Sequence, residues 1–179
     1  MKNSLKKLVL SGFFIALGFI LPFFTGQIPA LGNKLLPMHI PVLLCGFVCG
    51  WPYGLAVGFI VPLFRSIVFG MPPMFPIAMA MAFELAAYGF ISGLLYKYFS
   101  RSRGNILVSL IAAMLGGRVV WGIVSYFLYG ISGSHFTLNM FIAGAFINAV
   151  PGIIIQLILL PSIVLLLERM DMLENGFRV

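Results

Sequence analysis

From Leu8 to Phe24 the chain runs without a charged residue, and five further apolar stretches follow, each closed by a short polar, Pro- or Gly-containing segment. A helix needs about 20 mostly apolar residues to cross a hydrocarbon core of about 30 Å. Repeated apolar runs of this length constrain the fold more than any motif does. Composition agrees: of 179 residues 61% are hydrophobic and 8% charged, with a mean hydropathy of +1.12. A soluble domain carries about a quarter charged residues, so a soluble fold is excluded. The net charge of +7 does not mark a nucleic-acid binder, because the bases sit at the ends of the apolar runs, as in membrane proteins.

The runs predict an all-α integral membrane bundle of six transmembrane helices, one domain over residues 1–179. The expected helices cover 5–24, 38–50, 53–69, 77–98, 106–129 and 139–167, the last kinked at Pro151. Lys2, Lys6 and Lys7 before the first run resemble the start of a signal peptide. The run is long enough to span and has no Ala-x-Ala cleavage site, so it is expected to be the first helix. With six spans, Lys2, Lys6, Lys7, Lys97, Arg101, Arg103, Arg169 and Arg178 fall on one side and Lys34 alone on the other. That bias predicts a plasma-membrane protein with both termini cytoplasmic. Cys45 and Cys49, four apart in an apolar run with no further cysteine or nearby carboxylate, read as packed thiols, and no metal site is expected.

The stretch from Leu35 to Arg65 reads as a hairpin, two apolar segments about the turn Gly50-Trp51-Pro52-Tyr53-Gly54. It carries His39 and Arg65 to the same side of the bundle. The second helix is short for a full crossing, so it is expected to be tilted or shielded. On the helices that follow, counting from the nearest outer loop puts Arg65, Glu84, Arg118 and Asn148 about 7 to 16 Å deep. Charged groups at such depth are costly in a bilayer and mark functional sites unless they merely lock the bundle. Two arginines against one Glu leave a surplus positive charge, which calls for a wetted pocket or an anionic ligand group. Arg118, Trp121 and Ser125 recur at i, i+3, i+7, and Glu84 and Tyr88 at i, i+4, so each set lines one helix face. The expected binding residues are His39, Arg65, Glu84, Tyr88, Arg118, Trp121 and Asn148. Arg suits a carboxylate such as that of pantothenate, whereas a neutral pyridine or pyrimidine such as pyridoxine would use Asn148, Glu84 and the Trp121 face.

Enzyme chemistry finds little support. Gly130-Ile131-Ser132-Gly133 with His135 resembles the Gly-x-Ser-Gly of rhomboid-type intramembrane proteases. There the Ser starts a buried helix and its His comes from another, whereas Ser132 and His135 lie three apart in one loop. No Gly-x-x-x-x-Gly-Lys-Ser/Thr is present, so any ATP-driven step would belong to another chain. A stand-alone secondary carrier usually shows internal duplication, and none is visible. On the first helix Gly12 and Ala16 put two small residues on one face, which lets another helix approach closely.

The whole chain resembles the substrate-binding S components of energy-coupling factor (ECF) vitamin transporters. The likeness is carried by Leu36-Pro37-Met38-His39-Ile40-Pro41-Val42-Leu43-Leu44-Cys45-Gly46, by Gly50-Trp51-Pro52-Tyr53-Gly54 and by Phe69-Gly70-Met71-Pro72-Pro73. It implies a six-helix binder for a small water-soluble vitamin, working with a transmembrane coupling subunit and two ATPase subunits, with no catalysis or cofactor of its own. It further implies that the first helix docks on the coupling subunit through an Ala-x-x-x-Ala surface, matched here by Gly12 and Ala16. Substrate is expected in the outer half, contacted mainly by helices four to six, where Glu84, Arg118, Trp121 and Asn148 fit. Arg65 fits by depth alone.

Overall fold

The computed structural model describes residues 2–25, 34–99 and 102–170. Most of the loop before Lys34, Arg101 of the basic loop, and the tail charges Asp171, Glu174 and Arg178 lie outside them. Every regular element among the described residues is helical: α1 (Lys2–Ile20), α2 (His39–Cys49), α3 (Trp51–Phe69), α4 (Met79–Tyr98), α5 (Arg103–Ile131), α6 (Leu138–Ile142) and α7 (Val150–Arg169). Five segments are long and apolar enough to cross a membrane: Ser4–Phe24, Trp51–Phe69, Met74–Tyr98, Arg103–Ile131 and Leu138–Arg169. The sixth expected span, α2, has 11 residues and rises only about 16 Å. It is shielded: nine of those residues are buried, and α1, α3, α4 and α7 pack around it.

Local chemistry explains where the helices begin and end. Pro22 has no N–H for the carbonyl four residues back, and α1 tightens into the 3-10 turn Leu21–Thr25. The hairpin turn is narrower than the sequence suggests. Gly50 alone leaves the helical region, at φ 92°, a conformation open to glycine and strained for other residues. Pro52 falls in the first turn of α3, where its missing N–H is not needed. Helix α5 starts three residues earlier than expected because the Ser102 Oγ accepts from the Asn105 N–H at 3.2 Å, an N-cap. The last apolar run is irregular just before Pro151, with Asn148 and Ala149 still in the helical region. Its helix widens at Ala143–Ile147 and restarts at Val150, with Pro151 in the first turn of α7.

Backbones meet directly along α2, α3 and α4. A Cβ on Gly54 would lie 2.6 Å from the Gly89 carbonyl oxygen and 2.8 Å from the Gly46 Cα. One on Gly93 would lie 2.5 Å from the Trp51 nitrogen, and one on Gly58 would run into the Leu85 backbone. Side chains such as Val42, Leu43, Val57, Val61, Leu85, Leu110 and Leu160 fill the core around this seam. The outward faces are apolar too, with Phe64, Ile67, Leu115, Val119, Ile123, Ile154 and Ile158 exposed. The charged groups of the middle segments, by contrast, are buried: Arg65, Glu84 and Arg118. Apolar outside and charged inside is the distribution for a chain solvated by lipid, and the protein is a multi-pass membrane protein.

Candidate functional site

Glu84 on α4 is 2% exposed and brings α5 and α2 together. Its Oε1 lies 2.7 Å from Nη1 of Arg118 on α5 and 3.6 Å from Nε2 of His39, the first residue of α2. Tyr88, one turn along α4, sets its ring edge-on to the His39 imidazole, centroids 5.2 Å apart at 65°. Gly117 makes room for this packing, since a Cβ there would touch the Tyr88 ring at 3.0 Å and the Glu84 carbonyl at 3.1 Å. Three helices therefore converge on one carboxylate, and four of the expected site residues lie together.

His39 is held in place by a contact that sequence reasoning overlooked. Leu36 adopts φ 51°, uncommon for a residue with a branched side chain. Its carbonyl accepts from the His39 N–H at 3.1 Å and from Nε2 of Gln156 on α7 at 3.5 Å. Gly152, one turn earlier on α7, admits this segment closely; a Cβ there would lie 2.6 Å from the Lys34 carbonyl oxygen. The signal was available, because an amide inside Ile153-Ile154-Ile155-Gln156-Leu157 is as conspicuous as Asn148.

The site is rich in hydrogen-bonding groups with nothing to bond. Arg118 is 5% exposed, and its Nε and Nη2 have no partner among the described residues; neither ring nitrogen of His39 has a hydrogen bond. Two turns along α5 from Arg118, the Oγ of Ser125 is also buried and unpartnered. Orphaned buried donors cost about 1–3 kcal/mol each. A cluster of them beside an ion pair is suited to hold a polar ligand.

The remaining expected residues lie in other surroundings. Trp121 is half-buried and stacks on Phe141, centroids 6.1 Å apart at 23°, with Phe136 edge-on at 5.5 Å. Its ring lies over Gly144, where a Cβ would come within 2.8 Å. Asn148 is exposed in the turn before α7, where its N–H donates to the Ala143 carbonyl at 2.9 Å. Arg65 is 2% exposed and is not part of the Glu84 group. Its Nη1 donates to the Phe19 carbonyl at 2.7 Å, and its guanidinium sits over the Phe23 and Phe69 rings at 5.1 and 5.3 Å. Ser132 is exposed and donates to the Tyr129 carbonyl at 2.7 Å, while His135 is exposed in the following loop. On α1, Gly12 and Ala16 face outward, and a Cβ on Gly12 would meet nothing within 4 Å.

A multi-pass helical membrane protein with a buried Glu–Arg–His cluster is the class that fold and site define. Residues 6–164 match the family model of the ECF transporter substrate-specific component, and the chain belongs to that family. It is therefore a transport subunit that works with the other components of its transporter. No curated protein and no solved structure matches it.

Proposed function

We propose that this chain is the high-affinity binding subunit of an ATP-driven ECF-type importer for a small water-soluble vitamin or related micronutrient. Substrate sits on Arg118, Glu84, His39 and Tyr88, with Ser125 and Trp121 further along the same α5 face. The observation that carries this reading is the set of buried donors on Arg118 and His39 left without partners. A structural lock would use up the groups it buries, and this cluster leaves them spare. A membrane coupling subunit and two ATPases, all on other chains, supply the energy. The open small-residue face at Gly12 and Ala16 supports docking through α1, and the distribution of Lys and Arg supports cytoplasmic termini.

The carboxylate reading now rests on different ground. Arg65 has its own partners, so its charge is not surplus at the site; the free donors of Arg118 support a carboxylate-bearing substrate such as pantothenate in its place. A pyridoxine-like heterocycle would engage the same donors through a ring acceptor. Mass spectrometry of the small molecule that co-purifies with the protein tests the proposal. A stoichiometric micronutrient is expected in the wild type and its loss in Arg118→Met; a protein that binds none, in purified form or in uptake assays with its partners, overturns it.

A further inference from the structure

Glu84 and Arg118 at 2.7 Å form a charge-compensated pair. The groups facing it are few. From α2 comes His39, and from α4 the Tyr88 ring. From α3 the one charged side chain in the membrane interior is Arg65, committed to Phe19 and two aromatic faces. Packed on α2 from α7 is the neutral Gln156, while Glu168 of that helix accepts a hydrogen bond from the Tyr96 hydroxyl at the far end of α4. Lys6 and Lys7 of α1 and the Cys45 and Cys49 thiols lie away from the Glu84 end of α2, toward the start of α1.

The two unpartnered nitrogens of Arg118, Nε and Nη2, lie along one edge of the guanidinium plane, the fork that receives two acceptor atoms side by side. Nη1, on the other edge, already faces Glu84. An acid docked on the free fork would bring a second negative charge to a site where Glu84 and Arg118 already balance. The sum would be minus one in a buried site, and an uncompensated buried charge is strongly destabilising. Among the described residues, the group placed to correct it is His39 Nε2, 3.6 Å from the Glu84 oxygen and without a hydrogen bond.

We infer that the substrate carries a carboxylate, bound side-on by the Arg118 fork, and that it enters together with one proton lodged on the His39–Glu84 pair. The proton comes from solvent and no covalent bond changes: ligand anion plus H⁺ plus the empty site gives a neutral complex. The inference rests on the transport reading and narrows it to proton-linked binding. By linkage, uptake of one proton makes the dissociation constant of the acid rise about tenfold per pH unit across the range in which the pair is protonated in the complex but not in the free protein. A neutral ligand on the same fork takes up no proton and shows no such slope.

The test uses the purified full chain in detergent and matched probes: pantothenate with panthenol, and nicotinate with nicotinamide. Titration calorimetry at one pH in phosphate and in Tris separates proton uptake from binding, because the two buffers differ in ionisation enthalpy. An acid is expected to bind with about one proton taken up and its neutral twin at least thirtyfold more weakly. Glu84→Gln, which removes the negative charge, is expected to bind the same acid with no proton uptake. His39→Gln serves as the second variant and is expected to bind it with a flattened pH dependence. Binding of the acid without proton uptake, equal binding of acid and twin, or binding of no acid overturns the inference. None of these touches the transport reading, which stands or falls with the co-purified molecule and uptake.

Discussion

Arg65 and Arg118 are the same residue type at nearly the same burial, yet their guanidinium groups differ in what they lack. Arg65 has a backbone carbonyl and two ring faces; Arg118 has one carboxylate oxygen and an empty edge. Their replacement by Met should therefore give opposite results. Arg118→Met keeps the bulk and removes the donors, and affinity for an acidic substrate should fall by about 2–5 kcal/mol, as when a buried charge pair loses one member. Calorimetry reads this, and unchanged affinity would remove Arg118 from the site. Arg65→Met should cost about 1.5–3 kcal/mol of stability, the worth of a charge-assisted hydrogen bond, and leave affinity within about twofold, as for distant independent sites. Thermal unfolding and titration of one preparation check both halves. Burial and position along a helix were legible in the sequence for both arginines. What surrounds each was not, because neighbours on other helices depend on rotation about the helix axis, and a count of turns leaves that free.

Helix packing was the less legible level. The small pair Gly12 and Ala16 stood out by its spacing and by the family resemblance, whereas Gly54 read only as a turn residue and Gly58, Gly89 and Gly93 passed without comment among 20 glycines. The structure reverses their weight inside the bundle: Gly12 faces open space while Gly54 and Gly89 touch backbone to backbone. Two predictions follow at this scale. Gly89→Val forces α3 and α4 apart, and overpacking of this kind costs about 1–3 kcal/mol or more; the folded yield and melting temperature in detergent should both drop. Gly12→Trp and Ala16→Trp should leave melting and substrate binding unchanged while abolishing uptake by the assembled transporter. Uptake that survives both replacements would place the docking surface elsewhere. The break at Gly50 and the irregularity before Pro151 were visible as Pro and Gly signals, but their exact form was not: a helix tolerates proline in its first turn, so each falls before its proline.

For the molecule as a whole, the class was the easiest thing to read, because a bilayer imposes length and apolarity on every span at once. The short α2 was legible for the same reason: 11 residues are too few to cross alone. The proposed orientation rests on charge alone, and it is directly checkable. Reporter fusions at both termini should report the cytoplasm, and a reporter in the loop between α3 and α4, around Gly70, should report the outside. The opposite pattern would invert the site and put the Glu84 cluster in the inner half.

The glycine seam also divides the molecule mechanically. Where backbone rests on backbone, no side chain is left to change rotamer, so α2, α3 and α4 have no means of sliding past one another in small steps. The stretch from Phe136 to Ala149 is built the other way, from aromatic rings laid over Gly122 and Gly144. Rings that rest on glycine lift off without breaking a helix. Amide hydrogen exchange should display this division, with the slowest exchange in α2 and the facing halves of α3 and α4, and faster exchange through Leu138–Ile147. If the proposed site takes substrate, the α5–α6 side past Trp121, and not the glycine seam, is where passage to Arg118 is expected.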